Sequence, residues 1–272
     1  MSLRVKRGEK FFVPGKHSLK VIAHRGGGGQ WPGETLFAFR NAVNADVLEM
    51  DVRITSDDQL VLMHNASVND TTNGVGLVRS MKLADVQKLD AGYKWTNDGG
   101  LTFPFRGKGI NVPTLEETLQ EFKPKRMNIE IKGWHPLKGE KLAAHFCELL
   151  AAAGMEDKVL VASFHTDILR TIRRLSAKIA TSAATFDLFK FVLGSKLGKQ
   201  TKVEAEAIQI SSEVLNIRTI DQTLLTNAQK AGLELHAWTI NDRAEMRRLI
   251  DLGIDGIITD FPDLLVSELE SN

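Results

Sequence analysis

Short apolar runs alternate with amphipathic segments eight times along this chain, and that alternation leaves few folds open. The runs are residues 19–26, 47–55, 127–133, 158–164, 178–184, 205–211, 234–240 and 255–260. Short, largely apolar runs of this kind suit the strands of a parallel sheet covered on both faces. Between most of them lie segments with helical spacing. Thr114-Leu-Glu-Glu117 and Asp242-Arg-Ala-Glu245 read as capping boxes, in which an oxygen side chain accepts from an orphan backbone N–H and a Glu reaches back. Gly154, Gly232 and Gly253 follow apolar-periodic stretches, where helices stop. Eight βα units closing on themselves make a TIM (β/α)8 barrel. An open doubly wound sheet is the other arrangement, but no G-x-G-x-x-G opens a helix after the first run.

One stretch breaks the rhythm. A short strand over 59–64 follows the second run after the turn Ser56-Asp57-Asp58, and residues 66–112 are then polar and rich in Gly, Asn, Asp and Thr. That is too long for an ordinary βα loop. It reads as an insertion on the face that carries barrel active sites, with Trp95, Phe103 and Phe105 supplying apolar content of its own. The length, 272 residues, fits a single domain over 1–272 consisting of one barrel and this insertion.

Composition removes several function classes. Lys+Arg is 35 and Asp+Glu 34, so a basic footprint for nucleic acid is absent. A single cysteine, Cys147, excludes an internal disulfide framework. No apolar run reaches the ~18–20 residues of a membrane span. The N-terminal stretch carries Arg4, Lys6, Arg7, Lys10, Lys16 and Lys20 against Glu9. No long apolar h-region follows those charges, so it is not a secretory signal and reads as a solvated arm; cytoplasmic placement is expected. Residues 186–197 have apolar positions at 186, 189, 193 and 197, the spacing of the fifth barrel helix. With Lys190, Lys196, Lys199 and Lys202 interleaved or following, the same segment can instead face a membrane, so peripheral membrane contact stays open, as does oligomeric state.

Side chains two apart share a strand face, so Glu49 and Asp51 point one way, as do Glu130 and Lys132. Inward residues at strand C-termini build barrel active sites. Three carboxylates converging there repel one another unless a hard cation joins them, and oxygen-only donors suit Mg²⁺ or Ca²⁺. His24 and His64 end the first run and the extra strand, and two histidines in one mouth can serve as general acid and base. Arg25 and Lys132 add fixed positive charge, a means of holding phosphate. The Gly26–Gly29 run could let backbone approach that anion. Trp238 offers an apolar wall. His17, His135, His145 and His165 have no comparable setting, and His236, on the face of Trp238, belongs deeper in the barrel. No G-x-S-x-G, H-E-x-x-H or cysteine pair supports a serine-hydrolase or zinc reading.

In order along the chain stand His24-Arg25-Gly26, Glu49-Met-Asp51, His64, Thr71-Thr72-Asn73-Gly74, Pro113-Thr-Leu-Glu-Glu117, Ile129-Glu-Ile-Lys132, Ser163-Phe164, Trp238-Thr-Ile-Asn241 and Asp255-Gly-Ile-Ile-Thr-Asp-Phe-Pro262. This ordered set resembles the glycerophosphodiester phosphodiesterase family. The resemblance implies a TIM barrel with a small insertion after the second strand, and metal-dependent hydrolysis of small-molecule glycerophosphodiesters to an alcohol and glycerol 3-phosphate. It also implies roles: His24 and His64 as the acid/base pair, Glu49, Asp51 and Glu130 as ligands of Mg²⁺ or Ca²⁺, Arg25 and Lys132 on the phosphate, and Trp238 in the pocket. Three positions depart from the family pattern. Pro32-Gly33-Glu34-Thr35 replaces Pro-Glu-Asn-Thr, Asn65 replaces the Asp after the second histidine, and Asp70 replaces an Arg. An active enzyme is still expected. The alternatives are a lysophospholipase D, with an acyl channel drawn from Phe186, Phe189 and Phe191 with Trp31 or Trp95, and a non-catalytic phosphodiester-binding protein.

Overall fold

The computed structural model describes residue 11 and residues 17–133, 139–214 and 217–271. Eight parallel strands form the barrel wall: β1 (Lys20–Ala23), β2 (Val47–Ile54), β4 (Arg126–Ile131), β5 (Val159–Ala162), β6 (Ala180–Thr181), β7 (Ala207–Ser211), β10 (Glu234–Trp238) and β11 (Gly256–Thr259). Their order is β6-β5-β4-β2-β1-β11-β10-β7, and a parallel bridge between Ser182 and Ala207 closes the ring. This is the TIM barrel expected from the apolar alternation, with each run containing one strand. The extra strand β3 (Leu60–Leu62) pairs antiparallel with β2. A small hairpin, β8 (Glu213–Val214) and β9 (Ile217–Arg218), follows β7 and was not anticipated.

Helices cover the outside. In chain order they are α1 (Leu36–Asn41), α2 (Leu83–Val86), α3 (Leu115–Glu121), α4 (Gly139–Ala153), α5 (Thr166–Leu175), α6 (Thr185–Lys196), α7 (Gln222–Ala231), α8 (Arg243–Leu252) and α9 (Pro262–Glu270). Thr114 and Glu117 form the complete capping box at α3. Only half of the second expected box forms: Asp242 accepts from the Glu245 amide, but the Glu245 carboxylate turns to Arg248, its two oxygens 2.7 Å from Nε and Nη2. The bidentate guanidinium outcompetes a single backbone donor. Gly232 and Gly253 end α7 and α8 in the left-handed conformation.

Outward strand residues such as Met50, Val52, Ile129 and Val161 pack against the helices in the main core. Ile22, Val47, Leu160, Ala180, Ala207 and Ile258 fill the barrel interior. The insertion has a separate apolar cluster, with Val61, Met63, Val68, Val78, Val86, Ile110 and Val112 among its buried members. Phe105 joins Trp31, Phe37 and Trp95 in a ring-on-ring cluster beside it. Among the described residues no helix is long and apolar enough to cross a membrane.

Candidate active site

The site sits at the C-terminal ends of the strands, in a cavity of about 190 Å³. His24, Arg25, Glu49, His64, Glu130, Lys132 and Trp238 line it. Asp51 lies just beneath, almost fully buried, and meets Arg25 and Lys132. The eight residues singled out from the sequence are therefore brought together, from four barrel strands and the extra strand. The parallel register of β2 and β4 explains the acidic cluster: Glu49 stands beside Asn128 and Asp51 beside Glu130. With two-residue periodicity these four side chains share the inner face.

His24 does not end β1 as expected; it opens a tight turn over His24–Gly26. Arg25 within it takes a left-handed φ of 52°, and Gly26 follows at 79°. A Cβ on Gly26 would lie 2.7 Å from a Phe39 ring carbon, so chain direction and packing both demand glycine. The turn consumes its own donors. The amides of Gly27 and Gly28 bond the His24 carbonyl, and that of Gly29 bonds the Asp260 carbonyl. The expected backbone cradle for an anion is therefore corrected: three of those four amides are committed to the turn and to β11.

His24 Nδ1 donates to Asp260 Oδ1 at 2.6 Å. Asp260 is held in turn, its Oδ2 accepting from Asn241 Nδ2 at 2.7 Å and its amide donating to Asn241 Oδ1 at 2.9 Å. Burial works against protonating His24, but the Glu49 charge and the Asp260 hydrogen bond outweigh it, so the imidazole pKa is raised. His64 has the opposite environment. Its Nδ1 faces Asn65 Oδ1 at 2.5 Å, and Asn65 Nδ2 donates to Asp70 Oδ2 at 2.6 Å. The Asp70 acceptor fixes which end of the amide points at the imidazole, so His64 Nδ1 is the donor and Nε2 the free ring nitrogen. Burial, then the Arg25 charge, lowers the His64 pKa. The Arg53 guanidinium grips the His64 carbonyl at 2.9 and 2.6 Å and ties the residue to β2.

Charge balance marks the floor of the cavity. Lys132 Nζ lies 2.9 Å from Glu130 and 3.3 Å from Asp51. Arg25 Nε lies 3.3 Å from Asp51, and its amide donates to Glu49 at 2.8 Å. Burial and then the Asp51 charge push Glu49 up to about 7. Burial also raises Glu130, with the Asp51 charge adding to it against Lys132. Glu34 is a fourth buried carboxylate. It takes a left-handed φ of 61°, and its oxygens accept the Asp51 amide at 3.1 and 3.2 Å. Both Asp51 carboxylate oxygens and one Glu130 oxygen are buried without a hydrogen-bond partner. Buried oxygens that make no hydrogen bond, those of Asp51 meeting only Lys132 and Arg25 at 3.3 Å, are donors of the kind a hard divalent cation takes. Among the described residues no three acid or imidazole groups already stand at coordinating spacing; the Lys132 ammonium lies between Asp51 and Glu130. The donor set fits a hard cation in chemistry, with lysine and arginine balancing the charge.

The remaining histidines fall elsewhere. His236 is fully buried, 3.0 Å from Glu234 and in contact with Gln209, one layer deeper than Trp238. His17, His145 and His165 do not line the cavity. His135 and the basic stretch through Lys16 lie outside the described residues. The acyl channel imagined for a lysophospholipase does not form as drawn. Phe191 is buried in the main core, Trp31 and Trp95 belong to the insertion's ring cluster, and Phe186 and Phe189 face solvent.

Comparison with known proteins fits this geometry. The family model described as "Glycerophosphoryl diester phosphodiesterase family" matches residues 24–264. The chain belongs to this family. It is 32% identical over 259 residues to the glycerophosphodiester phosphodiesterase of Bacillus subtilis (strain 168), covering 90% of this chain and 85% of that one. It is also 32% identical over 254 residues to the glycerophosphodiester phosphodiesterase of Caldanaerobacter subterraneus, covering 91% and 96%. Among solved structures it resembles an Oleispira antarctica phosphodiesterase in complex with the product sn-glycerol-3-phosphate. That likeness has a TM-score of 0.74 and 25% identity, over 92% of this chain and 96% of that one. The chain is thus a glycerophosphodiester phosphodiesterase. Asp260 and Asn241, which support His24 from beside the cavity, were given no role by sequence reasoning, although both stand in the motifs that carry the resemblance.

Proposed function

We propose that this phosphodiesterase releases an alcohol and glycerol 3-phosphate with His24 as general acid, His64 as general base, and a Mg²⁺ or Ca²⁺ ion held by Glu49, Asp51 and Glu130. The observation that carries the reading is the unequal setting of the two imidazoles. His24 rests on a carboxylate and favours the protonated form; His64 rests on a neutral amide and favours the free base. Environments that push two titratable groups apart divide the acid and base roles.

Arg25 and Lys132, which both line the cavity, supply the charge for the phosphodiester oxygens. His64 Nε2 accepts a proton from the attacking oxygen: from water, which gives glycerol 3-phosphate directly, or from the glycerol 2-hydroxyl, which gives a cyclic phosphate that a second water must open to glycerol 3-phosphate. His24 Nε2 delivers a proton to the departing alkoxide, and Asp260 stabilises the imidazolium until it does. When bound, the cation offsets negative charge on the phosphoryl oxygens. Lys132, which neutralises Asp51 and Glu130 in this structure, would then be able to turn its ammonium to the phosphate. Trp238, Phe164 and Leu188 form an apolar wall that separates the leaving group from bulk water.

Chelator-stripped protein offered glycerophosphocholine, glycerophosphoethanolamine and glycerophosphoglycerol should release glycerol 3-phosphate only when Mg²⁺ or Ca²⁺ is restored. His24→Ala and His64→Ala should each lower turnover roughly 10²–10⁴-fold. Full turnover under chelation, or near-normal rates in both variants, would overturn the assignment.

A further inference from the structure

Helix α6 is apolar on both sides, unlike an ordinary barrel helix: Leu188, Phe191 and Val192 pack on the main core, and a second apolar stripe faces out. Phe191, Gly194 and Ser195 form its buried side. The four positions that mark its apolar period, Phe186, Phe189, Leu193 and Leu197, are instead 60%, 62%, 46% and 61% exposed. At about 100° per residue these four fall within an arc of roughly 80°. Lys190 borders that arc on one side and Lys196 on the other. The only acid in the helix, Asp187, is half-buried and off the stripe. Among the described residues neither lysine pairs with an acid; Lys190 lies over the Phe186 ring, 4.2 Å from its centroid.

The stripe runs toward the mouth of the active site. Thr185, the first residue of α6, bonds the Phe164 carbonyl at 3.4 Å. Phe164 and Trp238 are 57% and 38% exposed on the rim, on the apolar side of the cavity. Isolated exposed apolar residues need no explanation, but a helical stripe continuous with a site marks an interaction surface. An apolar stripe edged by lysines is the pattern of a helix lying in a lipid interface, with rings and leucines in the acyl boundary and ammonium groups among anionic headgroups. A second copy of the chain would meet the same positive edges, which disfavours self-pairing.

We infer that the outward face of α6, with Phe164 at its mouth end, docks this phosphodiesterase on an anionic lipid surface and presents the cavity to it. The test is co-sedimentation of the full chain with phosphatidylcholine vesicles, alone or with phosphatidylglycerol added. Binding should appear with the anionic vesicles and weaken with salt. The combined variant Phe186→Ser, Phe189→Ser, Leu193→Ser should lose at least roughly tenfold in vesicle affinity. The pair Lys190→Glu, Lys196→Glu should lose roughly as much on anionic vesicles only. Both variants should keep hydrolysis of soluble glycerophosphocholine, which shows that they fold and separates this surface from the catalytic reading. No vesicle binding by the unaltered chain, or binding indifferent to both variants, would overturn the inference. So would concentration-dependent dimers that the serine variant dissolves, which would assign the stripe to a second copy.

Discussion

Asp260 Oδ1 lies 2.6 Å from His24 Nδ1, across the seam where the last strand meets the first. With the Glu49 charge, the pair raises the pKa of this imidazole, and it sets the ring's orientation. Asn241 completes the support by holding both the side chain and the amide of Asp260.

Replacing Asp260 with Asn keeps the shape and removes the charge. The raised His24 pKa should fall, and kcat/KM should drop roughly 10–100-fold, the usual cost of losing a partner that orients a functional imidazole. An acid must be protonated to act, so activity declines as pH rises through the His24 pKa; in Asp260→Asn that alkaline limb should move to lower pH. The stability contribution has the same sign. With the folded pKa above the unfolded 6.5, it is present in full below 6.5 and fades as pH rises through the folded value. A pH–rate profile and thermal melts across the same range check both.

The His64 limb should respond to Asn65 alone. Asn65→Asp puts a carboxylate on the imidazole, so the acidic limb should shift to higher pH. It also faces Asp70 across the 2.6 Å contact that Asn65 now makes as a donor. The single variant should therefore lose stability, and Asn65→Asp combined with Asp70→Arg should regain it by exchanging repulsion for an ion pair. Urea titrations of the single and double variants give the coupling directly.

A cation that fits the buried Asp51 and Glu130 oxygens should stabilise the fold whatever the substrate. At a hundredfold excess over Kd the gain is about 2.7 kcal/mol. Adding Mg²⁺ or Ca²⁺ to chelated protein should raise Tm, and Asp51→Asn or Glu130→Gln should abolish most of that rise. An unchanged Tm in the unaltered protein, with the metal absent from equilibrium dialysis, would reject these carboxylates as ligands.

Gly26→Ala should cost on the order of 2 kcal/mol or more, because the new methyl meets Phe39 and Ala38 on a left-handed backbone. Loss of activity should accompany loss of stability, since the same turn aims His24 and Arg25. A urea midpoint unchanged from the parent would contradict the packing argument.

Much of this molecule was readable before its structure. The barrel was legible because strands covered on both faces must be apolar on both faces. Glu49 with Asp51, and Glu130 with Lys132, were legible because two-residue spacing fixes a shared face. The role of Asp260 was not, because it depends on ring closure between residues 236 apart in sequence. The glycine run misled for a local reason: spacing shows that backbone can approach a ligand, not that its amides are already taken. The outward turn of α6 was equally hidden, since a periodic stripe defines a face but not which way that face looks.

The insertion's separate apolar cluster makes the position of His64 depend on two cores. Its packing rests on Val61, Val68, Val78 and their neighbours, while Arg53 anchors the His64 backbone to the barrel wall. The His64 segment is thereby held from two sides, by the barrel wall and by the insertion's own core. Loosening Val68 or Val78 would displace His64 while the eight-stranded wall keeps its packing.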